Sequence, residues 1–80
     1  MVIGIDLRAH RSRLECNRVI MEILNTVILK YPDWRFQQVL WNCGISNGTD
    51  LFHEESDDTL RKLLADRTVQ EFFVAVDEVR

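Results

Sequence analysis

The chain has 80 residues, which leaves room for one hydrophobic core, so we expect a single domain over residues 1–80. The 46% of hydrophobic and 29% of charged residues are typical of a folded globular protein and argue against disorder. The net charge of −3 weighs against nucleic acid as the main partner. The charge is uneven, because residues 1–30 carry five basic and three acidic groups (+2) and residues 31–80 carry five and ten (−5).

The sequence carries no recognisable targeting signal. Its apolar start, MVIGI, ends at Asp6 and is too short for a signal peptide. No stretch approaches the roughly 20 apolar residues of a membrane span. Cys16 and Cys43 lack a CxxC spacing and fall on predicted apolar helix faces, which favours buried free thiols over a disulfide, a zinc site or a redox pair. We therefore predict a cytoplasmic protein without cofactor, metal or membrane contact.

The first predicted helix covers about residues 13–30. Ser12 and Glu15 have the spacing of a capping box, in which each side chain accepts the backbone N–H of the other residue. Pro32 cannot continue the helix and therefore ends it. Between them an apolar stripe repeats at three- and four-residue intervals. Its members are Cys16, Val19, Ile20, Ile23, Leu24, Val27, Ile28 and Tyr31.

A second helix is predicted from Trp34 to about Cys43. Asp33 stands where an N-cap is expected, and Gly44 is placed to end the helix as its C′ residue. A polar, turn-rich loop over 44–50 follows. Leu51 and Phe52 come next and are expected to dock that loop onto the core.

Two further helices are predicted in the C-terminal half. Ser56 is the expected N-cap of the third helix, in which leucines 60, 63 and 64 form the apolar stripe. Thr68 and Glu71 have the spacing of a second capping box, which predicts a fourth helix from residue 69. The residues expected to be buried there are Val69, Phe72, Phe73 and Val76.

These elements predict an all-α fold, a small bundle of three to four helices with short antiparallel connections. The alternative is an α+β fold with a short pair of N- and C-terminal strands. It rests on the apolar start MVIGIDL and on the segment TVQEFFVAV, which is rich in β-branched and aromatic residues.

The two tryptophans of the second helix stand seven residues apart. With Trp34 at zero on a helical wheel, Trp41 falls at about 340°, opposite an apolar face. That face consists of Phe36, Val39, Leu40 and Cys43. Either another element covers the tryptophans, one of them is buried and one exposed, or they form a contact surface with Arg35 and Gln38. Tryptophan and arginine are enriched at interface hot spots, so we predict a partner-binding or self-association surface from Trp34, Arg35, Gln38 and Trp41.

One pattern of residues extends over roughly positions 31–64. Its members are Tyr31, Pro32, Asp33, Arg35, Gln38, Asn42, Asp50, Phe52, Glu54, Asp57 and Leu60. This pattern resembles that of a group of small uncharacterised bacterial and phage-borne proteins. Gln37 departs from the group, where glycine is usual, and the acidic stretch is longer. The resemblance implies a small helical protein, and it supplies no activity or catalytic residue.

No arrangement of side chains indicates catalysis, so the protein is not expected to be an enzyme. Nothing pairs His10 or His53 with either cysteine, as a nucleophile would require. The acidic stretch 50–58 could offer oxygen ligands to a hard cation, but it lacks the EF-hand spacing. A solvated acidic loop explains these residues better.

The preferred function is protein–protein interaction or self-association, and nucleic-acid binding is the alternative. The latter rests on the basic residues of the N-terminal segment, Arg8, His10, Arg11, Arg13 and Arg18. A helix-turn-helix is disfavoured, because about a dozen residues separate the second and third helices and the third begins with acids. The charge asymmetry also suggests an antiparallel dimer in which residues 54–58 face the arginines of a second copy.

Overall fold

The computed structural model describes residues 2–45 and 54–76 as four helices and a two-stranded sheet. In chain order the elements are β1 (Ile3–Asp6), α1 (Arg13–Lys30), α2 (Phe36–Asn42), α3 (Ser56–Leu64), α4 (Arg67–Gln70) and β2 (Phe73–Val76). The strands run parallel, with Ile3 opposite Phe73 and Asp6 opposite Val76. The fold is therefore mainly helical but closer to the α+β alternative, and the all-α prediction is wrong at the two ends of the chain.

The segment after α3 divides into a short helix and a strand, and the cap of its helix lies earlier than predicted. The carboxylate of Asp66 accepts the backbone N–H of Thr68 at 2.9 Å and starts α4. The predicted capping box of Thr68 and Glu71 is consequently wrong. The helix stops after one turn, and Phe73–Val76 then pairs with β1. Strand propensity prevails here because the N-terminal segment supplies a partner.

The bounds and cap of α1 are confirmed. The Ser12 hydroxyl accepts the Glu15 N–H at 3.1 Å, and the Glu15 carboxylate accepts the Ser12 N–H at 2.7 Å. These bonds, the one from the Ser12 backbone first, lower the pKa of Glu15. The helix ends at Lys30, and the N–H of its C-cap, Tyr31, still donates to the Val27 carbonyl at 2.9 Å.

The start of α2 lies two residues later than predicted. Arg35, not Asp33, is the N-cap, and its N–H donates to the side-chain oxygen of Gln38 at 2.8 Å. Trp34 belongs to the preceding turn, where its N–H donates to the Tyr31 carbonyl at 3.1 Å. The predicted end is confirmed, because Gly44 follows the helix with a φ of 82°, a left-handed conformation that favours glycine.

Ser56 is the first residue of α3 rather than its N-cap, which is Glu55. The Ser56 hydroxyl instead donates to the Asn17 side-chain oxygen on α1 at 2.6 Å. A residue predicted to act within its own helix thus links α3 to α1.

The core lies between α1, α3 and the short elements that follow α3. Its buried members are Cys16, Ile23, Leu24, Val27, Val39, Cys43, Leu60, Leu63, Leu64, Val69 and Phe73. The core role predicted for Phe36 is wrong, since this side chain at the start of α2 is 58% exposed. The proposed docking of Leu51 and Phe52 lies outside the described residues. None of the described helices has both the length and the apolar character needed to cross a membrane.

Both cysteines are buried and unpaired, as predicted. Burial, followed by the nearby Asp66 carboxylate, raises the pKa of Cys43 from 9.0 to about 11. The folded state therefore holds this proton more tightly than the unfolded state. Its contribution to stability is complete below pH 9.0 and is lost as the pH rises through about 11.

Alkaline pH is accordingly expected to lower the free energy of unfolding, and Cys43→Ala should flatten this dependence between pH 9.0 and about 11. Urea titrations across that range measure it. A hydrogen bond to Glu71 also raises the pKa of Tyr31, so this phenol contributes to the same loss of stability at alkaline pH. Tyr31→Phe measures that second contribution separately. An unchanged pH slope in Cys43→Ala would contradict the assignment.

Candidate partner-binding surface

Two large apolar side chains of α2 are exposed, about 140° apart around the helix axis. Trp41 is 62% exposed and Phe36 is 58% exposed. Val39 on α2 and Cys43, the C-cap of this helix, are buried, and each stands two residues from Trp41, or about 200° around the helix axis. The indole of Trp41 therefore lies on the side of α2 away from the core. We define the α2 surface as the exposed residues Arg35, Gln37, Gln38 and Trp41.

Trp34 is placed differently from Trp41. It is half-buried and stacks on Tyr31, with ring centroids 4.1 Å apart and an angle of 5° between the planes. The Tyr31 hydroxyl donates to the Glu71 carboxylate at 2.9 Å, which holds this ring pair against the chain beyond α4. The prediction that both tryptophans share one face of a helix is wrong, because Trp34 precedes α2. One tryptophan is largely exposed and the other partly buried.

Arg35 and Gln38 are brought together by the cap of α2. The side-chain oxygen of Gln38 accepts the Arg35 N–H, so part of Gln38 serves the helix itself. Both residues remain exposed, and Gln37 is exposed between them. Gln37, Gln38 and Trp41 lie within about 100° of the helical circumference, so two amides flank the indole. The surface combines an apolar centre with hydrogen-bonding groups at its edge.

Three of the four N-terminal arginines contact oxygen atoms of the same chain. Arg13 pairs with Glu55 at 3.0 Å, and Arg11 donates to the Asp6 carbonyl at 2.8 Å. Arg8 lies 3.7 Å from the Asp6 carboxylate. The fourth, Arg18, lies further along α1 and is exposed.

The acidic start of α3 lies beside these arginines within the same chain. Asp57 and Asp58 pair with Arg61 at 3.5 and 3.6 Å. A cleft of about 220 Å³ separates this turn of α3 from the segment before α1, and both charge signs line it. Its charged or titratable lining residues are Arg8, His10, Arg11, Asp57 and Arg61. Residues 54–58 were proposed to face the arginines of a second copy. Glu55 instead contacts Arg13 of its own chain.

Nothing in the described part of the chain assembles an obvious reactive centre. His10 is exposed, whereas both cysteines are buried. Across residues 2–45 and 54–76, no three His, Cys, Asp or Glu side chains converge as a metal site. His53 lies outside the described residues, so the absence of catalysis stays a prediction.

The structure also exposes a surface that the sequence reasoning missed. The outer side of α1 presents Leu14, Met21 and Leu29 at 58%, 63% and 73% exposure. The predicted apolar stripe of α1 accounts only for the opposite, buried side of the helix. Ile28, which was predicted to lie in the buried stripe, is also exposed, at 36%, and its seven-residue spacing from Met21 and Leu14 was the available signal.

Comparison with protein-family models, with curated proteins and with solved structures finds no match for this chain. The candidate functions below rest on exposure, charge and contacts within the chain itself.

Proposed function

We propose that the protein acts by binding another protein through the α2 surface, without catalysis of its own. The observation that carries the proposal is Trp41, which is 62% exposed on the side of α2 opposite the buried Val39. Leaving an indole in water forfeits a large favourable burial free energy. A partner that covers Trp41 recovers it.

The composition of the α2 surface indicates what the partner offers. Tryptophan and arginine dominate interface hot spots, because a large side chain fills a pocket while keeping a polar group available. The amides of Gln37 and Gln38 can hydrogen-bond beside the exposed indole of Trp41. The expected partner is a protein with an apolar pocket for the indole and a polar rim.

Nucleic-acid binding is supported less well. Arg13 would have to exchange its contact with Glu55 for one with a phosphate, beside the acids at the start of α3. Phosphates are repelled by such carboxylates, and three of the four arginines already contact oxygen atoms within the chain. The arrangement favours protein as the partner.

Affinity capture of the tagged full chain from its native lysate, with and without nuclease, tests the proposal. The expected result is a partner protein that is recovered with or without nuclease and is not recovered with Trp41→Ala. The purified partner is expected to bind the purified chain directly. Leu29→Ala is the matched control, because it truncates an apolar side chain of 73% exposure on another helix. Circular dichroism of each variant verifies that it is folded.

Two results would contradict the proposal. Equal recovery of the protein by wild type and Trp41→Ala would remove the α2 surface from the interaction. Recovery of nucleic acid, with associated proteins lost after nuclease treatment, would move the function to the arginine-rich N-terminal segment.

A further inference from the structure

The outer face of α1 has a pattern that its buried face does not explain. Leu14, Met21 and Ile28 recur every seven residues, and Arg18 and Asn25 stand four residues after the first two. With Leu14 at zero, all five fall between about 320° and 40° on a helical wheel. All five are exposed, at 58%, 63% and 36% for the three apolar side chains. We call these five residues the α1 seam.

The spacing of the α1 seam is that of a helix that pairs with another helix. Alternating steps of four and three residues keep one narrow stripe facing a partner, as in a two-stranded coiled coil. The apolar residues occupy every second position of this stripe, and the positions between them are polar. No described element of the chain covers it, whereas the opposite side of α1 is filled by the core.

We infer that two copies of this chain pair through the α1 seam, antiparallel, about a twofold axis at Met21. In this arrangement Met21 packs against Met21 of the second copy, and Leu14 lies level with Ile28. The seam is thereby self-complementary, as a twofold interface requires. Polar Arg18 and Asn25 limit its apolar area, so the dimer is expected to be weak and reversible.

Charge favours the antiparallel over the parallel orientation. Arg18 and Glu22 lie on the same flank of the seam, at about 40° and 80°. In an antiparallel pair this flank faces its own copy, and Arg18 stands about 3 Å along the axis from Glu22 of the partner. Along the helix axes, the Glu22 residues of the two copies then lie between their Arg18 residues. In a parallel pair, the Arg18 residues of the two copies would lie at the same height and face each other. Repulsion between these like charges disfavours the parallel orientation.

Sedimentation equilibrium of the full chain under reducing conditions tests the pairing. The expected mass rises with protein concentration from 9.4 kDa towards twice that value. Met21→Glu places two carboxylates together at the axis and is expected to give monomer throughout. Trp41→Glu, an equally exposed apolar residue outside the α1 seam, is expected to dimerise like wild type. This control separates the seam from the α2 surface.

Charge reversal tests the orientation. Arg18→Glu alone and Glu22→Arg alone place like charges across the interface and are expected to shift the equilibrium to monomer. The double variant R18E/E22R restores opposite charges and is expected to recover the dimer. An equimolar mixture of L14C and I28C should form a disulfide between the two variants on oxidation, while L14C by itself should cross-link poorly.

A wild-type chain that stays at 9.4 kDa at every concentration and low salt would overturn the inference. A dimer that survives Met21→Glu, or is lost with Trp41→Glu, would place the contact elsewhere. Efficient cross-linking of L14C to itself would replace the antiparallel orientation with the parallel one. None of these results depends on partner capture through the α2 surface.

Discussion

Replacing Leu63 by alanine is expected to lower the free energy of unfolding by about 2–5 kcal/mol. Leu63 is fully buried on α3, the helix that packs against α1, and truncation there leaves a cavity. A chain of this length has a total stability of about 4–12 kcal/mol. The variant is therefore expected to lie close to the limit of folding. Urea unfolding followed by far-ultraviolet circular dichroism measures the change.

Leu29→Ala is the control for this measurement. It makes the same substitution on α1, where the side chain is 73% exposed, and a surface change of this kind costs about 0.5 kcal/mol or less. If the two variants lost equal stability, the packing of α3 against α1 would be contradicted.

The second large effect is expected at Gly4, in β1. A Cβ atom added there would lie 2.5 Å from Cγ2 of Val76, in the paired strand. Such a contact forces a shift of the strand or of the valine, because a valine methyl cannot rotate away at low cost. Gly4→Ala is expected to lower the unfolding free energy by about 1–3 kcal/mol.

Val76→Ala removes the obstructing methyl and completes a double-mutant cycle. The double variant G4A/V76A is expected to be more stable than the sum of the single effects allows, by roughly 0.5–3 kcal/mol. Urea titrations of the four proteins give this coupling. Simple additivity would mean that the two strands are not neighbours in this register.

The bounds and the N-terminal cap of α1 were predictable from local patterns in the sequence. A capping box, a four-turn apolar stripe and a proline all lie within the helix or beside it, and they agree with one another. The C′ role of Gly44 was likewise predictable, because a left-handed residue after a helix is a local requirement. The leucine stripe of α3 was predictable for the same reason as the stripe of α1.

The candidate surface was only partly predictable. The seven-residue spacing of the tryptophans indicated a candidate surface, and the predicted position of Trp41 opposite Val39 is correct. The wheel failed for Trp34, because Gln38 caps α2 at Arg35 and leaves Trp34 in the turn. A residue that precedes a helix does not follow its step of about 100° per residue, so an error in the start of the helix assigns such a residue to the wrong surface.

Only the tertiary structure decided the two ends of the chain. The segment FVAV has the composition of a strand, yet it needs a partner to become one, and that partner lies about 70 residues earlier at IGID. Exposure was decided in the same way, since Phe36 and Leu63 are both apolar helix residues and only packing leaves one in water. The sequence by itself determined where regular structure is stable locally. Which faces are buried depends on contacts between distant segments, and no local pattern contains them.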